Sequence, residues 1–357
     1  MMIIPEGTAF CCLALEGPHL RIKQEQSVLP GLTVSPSQEA FELEQHWVEW
    51  LGTIQASSFR QSSLFITAFL DSHPHNGELP AHQFLDHRVR LFHHALVLLG
   101  CGHNNEVLMV GGEKHRGGHL HIGPVRSGLT PCFLPYYRNG RTIDASDLER
   151  AAVILGNLEL IYSHAPGRLY RRLRKGFNVW IRGAQEGEEW IERLHSFVRA
   201  TEAVLKPTIS RQRSQRTMRQ SKTAKKRWRE VTATFIKRGQ TVIGHSAKSV
   251  RLLRQLYDIR SSVEHIKDVV PAVKKARGIV PEEAFGFRAL QSEILASTVY
   301  SRILSSHDLL NAFSTETSVE GFWSRIGHDR RALWGDPIDI DAESRHQFCS
   351  HKVPDFY

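Results

Sequence analysis

The sequence predicts an α+β protein: an N-terminal mixed α/β domain over residues 1–143, an all-α helical bundle over 144–312, and a C-terminal extension over 313–357. Three observations carry this division. Short apolar runs broken by turn residues fill the first part, the pattern of strands. From Asp144 onward apolar residues recur three and four apart, the period of a helix face. Positive charge is concentrated in one place: between Lys206 and Arg238 stand twelve Lys or Arg and a single acid, Glu230, so this segment alone exceeds the +9 of the whole chain.

In the first domain the runs FCCLAL (10–15), LFITAFL (64–70) and EVLMV (106–110) each end at Gly, Pro, Asp or Ser. The segments Val107–Val110 and His119–Ile122, joined through GGEKHRGG, predict a hairpin with a glycine-rich turn. Residues 80–99 predict a helix with Phe84, Val89, Phe92 and Leu96 on its apolar face.

In the second domain Ser146 is a candidate cap for a helix in which Leu148, Val153 (or Ala152), Leu155 and Leu158 to Ile161 form a wide apolar stripe. Pro166-Gly167 punctuates. The next segment sets Leu169, Leu173, Phe177, Trp180 and Ile181 under a basic outer face, and the following one carries Trp190, Leu194, Phe197, Val198, Val204 and Leu205. The basic stretch reads as part loop and part helix. Leu252, Leu256, Ile259 and Val263 then mark an amphipathic helix, as do Leu295, Val299 and Ile303. Residues 313–357 are mixed and give no clear assignment.

Composition narrows the function. An apolar fraction of 41% with 23% charged residues is that of a globular protein rather than a disordered one. Five scattered cysteines (Cys11, Cys12, Cys101, Cys132, Cys349) form no metal-binding spacing and suit reduced thiols. The N-terminus lacks a basic segment before its apolar run, and no run approaches the ~18 apolar residues of a membrane span. The expectation is a cytoplasmic protein with no membrane partner. The basic excess favours a polyanion. Within it, Lys225, Lys226, Arg227 and Arg229 surround Trp228. An aromatic ring among cations can stack a base while its neighbours hold phosphates, so these five residues are candidates for binding RNA.

Ten of the twenty histidines lie between His73 and His121. His119 and His121 would share one face of a strand, which permits chelation, but no cysteine or carboxylate spacing completes a ligand set. No metal and no cofactor are expected. GGEKHRGGH lacks the Gly-Lys-Ser/Thr ending of a phosphate loop and reads as a turn.

The segment LYDIRSSVEH places Tyr257, Arg260, Ser261 and His265 in order on a predicted helix. A bare arginine followed by histidine recurs elsewhere, as in Arg302 and His307, so the pair gains weight only from its setting. That setting resembles the HEPN superfamily of RNA-cutting helical domains, in its Apea-like branch, over roughly residues 145–312. The upstream segment RLHSFVRATEAVLKP resembles the family's preceding helix, with Arg199 and Glu202 on its polar side. Ser261, Ile266 and Lys267 depart from the residues common in the family at those places.

The resemblance implies a metal-independent endoribonuclease in which Arg260 and His265 are catalytic and Arg199, Glu202, Tyr257 and Ser261 support them. It implies a homodimer, since relatives set two Arg/His pairs in one cleft, and a role as toxin or anti-phage effector with a regulatory protein partner. The chemistry suits the residue types. RNA brings its own nucleophile, the 2′-hydroxyl; histidine can move a proton near neutral pH, and arginine can hold phosphoryl oxygens as charge builds. Five residues on a straight helix are roughly 140° apart, so the helix must end or bend near Val263 for the pair to cooperate, or a second subunit must complete the site. The alternative is a non-catalytic RNA-binding or assembly module, with Asp258 and Glu264 as ion-pair partners of Arg260 and His265.

Overall fold

The computed structural model describes residues 6–16, 22–36, 45–71, 81–101, 105–114, 120–127, 143–164, 169–185, 190–208, 221–265 and 281–347. Described residues up to Glu159 form one compact unit and those from Leu160 another.

The first unit is built on a six-stranded antiparallel sheet, ordered β2-β3-β4-β1-β5-β6. Its strands are β1 (Thr8–Glu16), β2 (Gln26–Leu29), β3 (Leu32–Pro36), β4 (Leu64–Asp71), β5 (Asn105–Lys114) and β6 (Leu120–Ser127). The three apolar runs of the sequence become its three central strands. β1 is buried from Thr8 to Leu15 because both of its faces are covered. Phe10, Cys12 and Ala14 pack with Leu51, Ala56 and Phe59 from helices α1 (Gln45–Leu51) and α2 (Thr53–Gln61). Alternation along the strand turns Ala9, Cys11, Leu13 and Leu15 the other way. Helix α3 (Ala81–Leu98) packs on β1 and β4 and buries Leu85, Val89, Phe92 and Leu96. Phe84, expected on that apolar face, is instead exposed. The expected hairpin is present as the β5–β6 pair, with Gly112 opposite Ile122 and Val110 opposite Val125. The middle of its turn lies outside the described residues.

The division between units falls inside helix α4 (Ala145–Ser163) rather than at residue 143/144. The Arg88 side chain of α3 meets Glu159 at 3.1 Å and ties the longer part of α4 to the sheet unit. The cap of α4 is Asp144, not Ser146. Asp144 accepts from the Asp147 backbone N–H at 2.9 Å while the Asp147 carboxylate accepts from that of Asp144 at 3.2 Å, a reciprocal pair that satisfies two amides of the helix start. Val153 is exposed, and Ala151 with Ile154 fills the stripe instead.

Among the described residues the elements of the second unit are all helices: α5 (Arg171–Gln185), α6 (Trp190–Leu205), α7 (Ser221–Ile243), α8 (Ala247–Glu264), α9 (Pro281–Leu304), α10 (His307–Ala312), α11 (Glu316–Ser324), α12 (Gly327–Trp334) and α13 (Ile340–Gln347). Helix α6 is central and packs on α5, α9, α8 and α7. Gly176 lets α5 come close: a methyl group there would meet the Tyr300 hydroxyl, which donates to the Ala200 carbonyl at 2.9 Å. Leu169 is exposed and precedes the helix it was expected to anchor. The C-terminal extension, unreadable in the sequence, belongs to this unit. Phe313, Phe322, Trp323 and Trp334 form an aromatic cluster, and α13 packs on α9. No helix among the described residues is long and apolar enough to cross a membrane.

Candidate functional site

Two helices of the second unit each carry a polar stripe. On α6, His195, Arg199 and Glu202 recur at i, i+4 and i+7 on one face, and Lys206, just past the helix end, continues the series at i+11. The remaining faces of α6 bury Leu194, Phe197, Val198 and Val204, and this burial fixes the rotation of the helix. On α8, Tyr257, Arg260 and Glu264 recur at i, i+3 and i+7, while Leu252, Leu253, Leu256 and Ile259 are buried. The two helices pack together, and the stripes meet.

At their meeting Arg260, nearly buried, lies between two carboxylates: one terminal nitrogen is 2.8 Å from Glu202 and the other 2.5 Å from Glu264. Glu202 also binds Lys206 at 2.6 Å. Glu264 is approached by Arg199 at 3.8 Å and by His195 Nε2 at 4.0 Å. The Tyr257 ring lies beneath both Arg260 and Lys206, with centroid distances of 5.8 and 5.7 Å, and its hydroxyl is hydrogen-bonded to Thr232 of α7. Three cations, Arg199, Lys206 and Arg260, therefore share two carboxylates, and the His195 imidazole lies beside one of them.

Burial shapes the titration of this cluster. It raises the Glu202 carboxyl above the usual range, against the opposing pull of Lys206 and Arg260. The same desolvation, with Arg199 and Arg260 adding to it, lowers the His195 imidazole so that its neutral form is favoured. Asp258, expected as a partner of the pair, has its carboxyl raised by burial, with Arg254 rather than Arg260 pulling the other way.

Helix α8 starts at Ser246, whose hydroxyl accepts from the Ser249 amide at 3.0 Å, and ends at Glu264. His265 is the cap residue; its backbone N–H bonds to the carbonyls of Ser261 and Ser262, and its side chain is exposed. The helix thus ends where cooperation between Arg260 and His265 required it to, although His265 takes no part in the ion-pair cluster. Ser261 is half-buried one residue beyond Arg260.

The structure brings together Arg199, Glu202, Tyr257 and Arg260 of the expected set. Sequence reasoning missed His195 and the role of Lys206. The signal is the stripe that runs along α6 to Lys206 just past its end, but Lys206 also begins the basic run. That run does form helix α7 from Ser221, with Arg229 exposed on it. The side chains of Lys225, Lys226, Arg227 and Trp228 lie outside the described residues, as do His73, His75, His119 and the His121 side chain. Among the described residues no group of three metal-binding side chains occurs. The rival motif is divided between two helices: Arg302 at the end of α9 bonds to the Asp336 carbonyl, and His307 begins α10.

A cleft of about 380 Å³ in this unit lies between the start of α8 and Pro337–Asp341, away from Arg260. The face of α6 and α8 offers a surface whose outer position is filled by the Glu264 carboxylate. No protein-family model, curated protein or solved structure matches the chain. The chemistry of the site therefore rests on its own residues: a fixed guanidinium, a second one half-exposed, a neutral imidazole, and an anion already seated among them.

Proposed function

We propose that the helical unit is a metal-independent endoribonuclease of the HEPN type. The observation that carries this reading is the convergence of Arg199, Glu202, Tyr257 and Arg260, chosen from two segments more than fifty residues apart, around one guanidinium, with His265 just beyond it at an exposed helix end. Glu202 is buried and orients Arg260; the half-exposed Glu264 occupies the guanidinium's outer edge. An RNA phosphate enters by exchanging with Glu264. Arg260 then faces the oxygens on which charge accumulates as the 2′-hydroxyl attacks, and His265 protonates the departing 5′-oxygen. The basic start of α7 supplies further phosphate contacts, and a second copy of the chain brings its own Arg/His pair to the same cleft. Such an activity would serve as a toxin or anti-phage effector under a regulatory partner, with the sheet unit as sensor or specificity module.

A second reading has its own support. Arg260 is neutralised by two carboxylates, as in an ion-pair network that serves assembly or RNA binding without cleavage. The two readings part in one experiment. Wild type, Arg260→Ala and His265→Ala are incubated with total RNA and tRNA in excess EDTA. Cleavage by wild type alone, leaving 2′,3′-cyclic ends, supports the nuclease. Equal RNA binding by all three with no cleavage supports the second reading.

A further inference from the structure

The Glu264 carboxylate is held the way a phosphate would be. Arg260 grips one oxygen at 2.5 Å, and the other is faced by Arg199 at 3.8 Å and His195 Nε2 at 4.0 Å. Two guanidiniums and an imidazole converging on one anion form a set suited to a phosphodiester. His195 Nε2 is buried, has no hydrogen-bond partner among the described residues, and lies 4.0 Å from the Glu264 carboxylate. The exposed His265 caps the helix end one residue beyond Glu264.

We propose that His195 is the general base of this site, with the Glu264 carboxylate marking the position the scissile RNA phosphate takes. The inference rests on the ribonuclease reading and deepens it. In the step, Nε2 accepts the 2′-hydroxyl proton while O2′ forms a bond to phosphorus. The P–O5′ bond breaks, its electron pair stays on O5′, and His265 supplies the proton. The products are a 2′,3′-cyclic phosphate and a 5′-hydroxyl, with no oxidant, reductant or metal required. The charged groups facing His195 are Glu192 and Arg199 on its own helix and Arg260 and Glu264 on α8. Burial and the two arginines favour the unprotonated ring that a base requires.

The test uses the full-length protein in EDTA, with tRNA for cleavage and a 2′-O-methyl RNA, which cannot react, for binding. His195→Gln is expected to cut about 10²–10⁴-fold more slowly, to lose the rising acid limb of the pH–rate profile, and to bind 2′-O-methyl RNA as wild type does. Equal cleavage with an unchanged profile overturns the proposal, as does loss of binding in step with loss of cleavage. His195→Asn serves as the second variant, with circular dichroism melting to verify folding. In intact wild type, inorganic phosphate exchanging with Glu264 is expected to shift the His195 ring resonances in an NMR titration; resonances that stay fixed at saturation overturn it independently of any variant. A wild type that cuts nothing overturns the ribonuclease reading itself, whereas cutting that ignores His195 overturns this inference alone.

Discussion

Helix α6 takes part in two arginine–glutamate pairs of different kinds, supplying the arginine of one and the glutamate of the other. Near its start Arg193 meets Glu293 of α9 at 3.0 Å, with side-chain exposures of 1% and 4%, and stacks against Trp190 and Phe197. A few turns on, Glu202 meets Arg260 of α8, and the far edge of that guanidinium reaches Glu264, whose side chain is 30% exposed. The first pair is sealed. The second is anchored at one end and opens at the other onto a carboxylate that can leave. A sealed pair is held in place by what water cannot reach, so it specifies packing. A pair with excess cations and an exchangeable anion is equipped to receive a ligand.

That contrast can be broken most forcefully at Arg193. Arg193→Met leaves Glu293 buried without its cation, and a loss of about 3–5 kcal/mol is expected in urea unfolding followed by tryptophan fluorescence. Arg260→Gln is expected to cost less, about 1–2 kcal/mol, because Lys206 still holds Glu202 and Glu264 turns to water. Equal losses would mean that the two pairs are structural alike.

Removing the exchangeable anion sharpens the comparison without disturbing the core. Glu264→Gln is expected to change stability by less than about 1 kcal/mol and to tighten binding of 2′-O-methyl RNA, read by fluorescence anisotropy at fixed salt. Weaker binding by this variant would show that Glu264 organises the surface rather than occupying it.

The smallest effect is in the pH dependence of stability, where Glu202 and Glu320 behave oppositely. Burial raises the folded-state pKa of Glu202, so its contribution is present below the ordinary glutamate value and is lost as pH rises through the raised one. At Glu320 burial pulls the same way, but hydrogen bonds from Arg238 and Thr208 outweigh it and lower the pKa. Its contribution is present above the ordinary value and is lost as pH falls through the depressed one. Glu202→Gln should therefore remove a decline of stability on the alkaline side of the carboxylate range, and Glu320→Gln a decline on the acid side, measured as urea midpoints across mildly acid pH. A common direction of change would contradict the difference between the two environments.

Legibility from sequence followed the physics of each region. Strands buried on both faces announce themselves as unbroken apolar runs, and β1, β4 and β5 were readable for that reason. Helices α6 and α8 were readable because their apolar faces keep a strict period. Helices α10 to α13 were not, because they are six to nine residues long and each buries only one to three residues rather than a stripe. The placement of Arg199, Glu202, Tyr257 and Arg260 together depends on how α6 and α8 are rotated. A single sequence fixes each helix's buried face but not which helices become neighbours, so His195 and Lys206 stayed hidden beside residues the motif had singled out. The Asp144 cap escaped notice for a smaller reason: Ser146 is an equally good capping residue two positions on, and only the reciprocal bond with Asp147 decides between them.

Strand β1 has a further consequence for the sheet unit. It is paired along both edges with β4 and β5, covered on both faces, and carries the Cys12 thiol, which burial pushes up to about 12. No fraying at a margin can expose it. Its amide hydrogens can trade with solvent deuterium only when the whole sheet comes apart, so the slowest exchanging amides of β1 keep time for the opening of that unit.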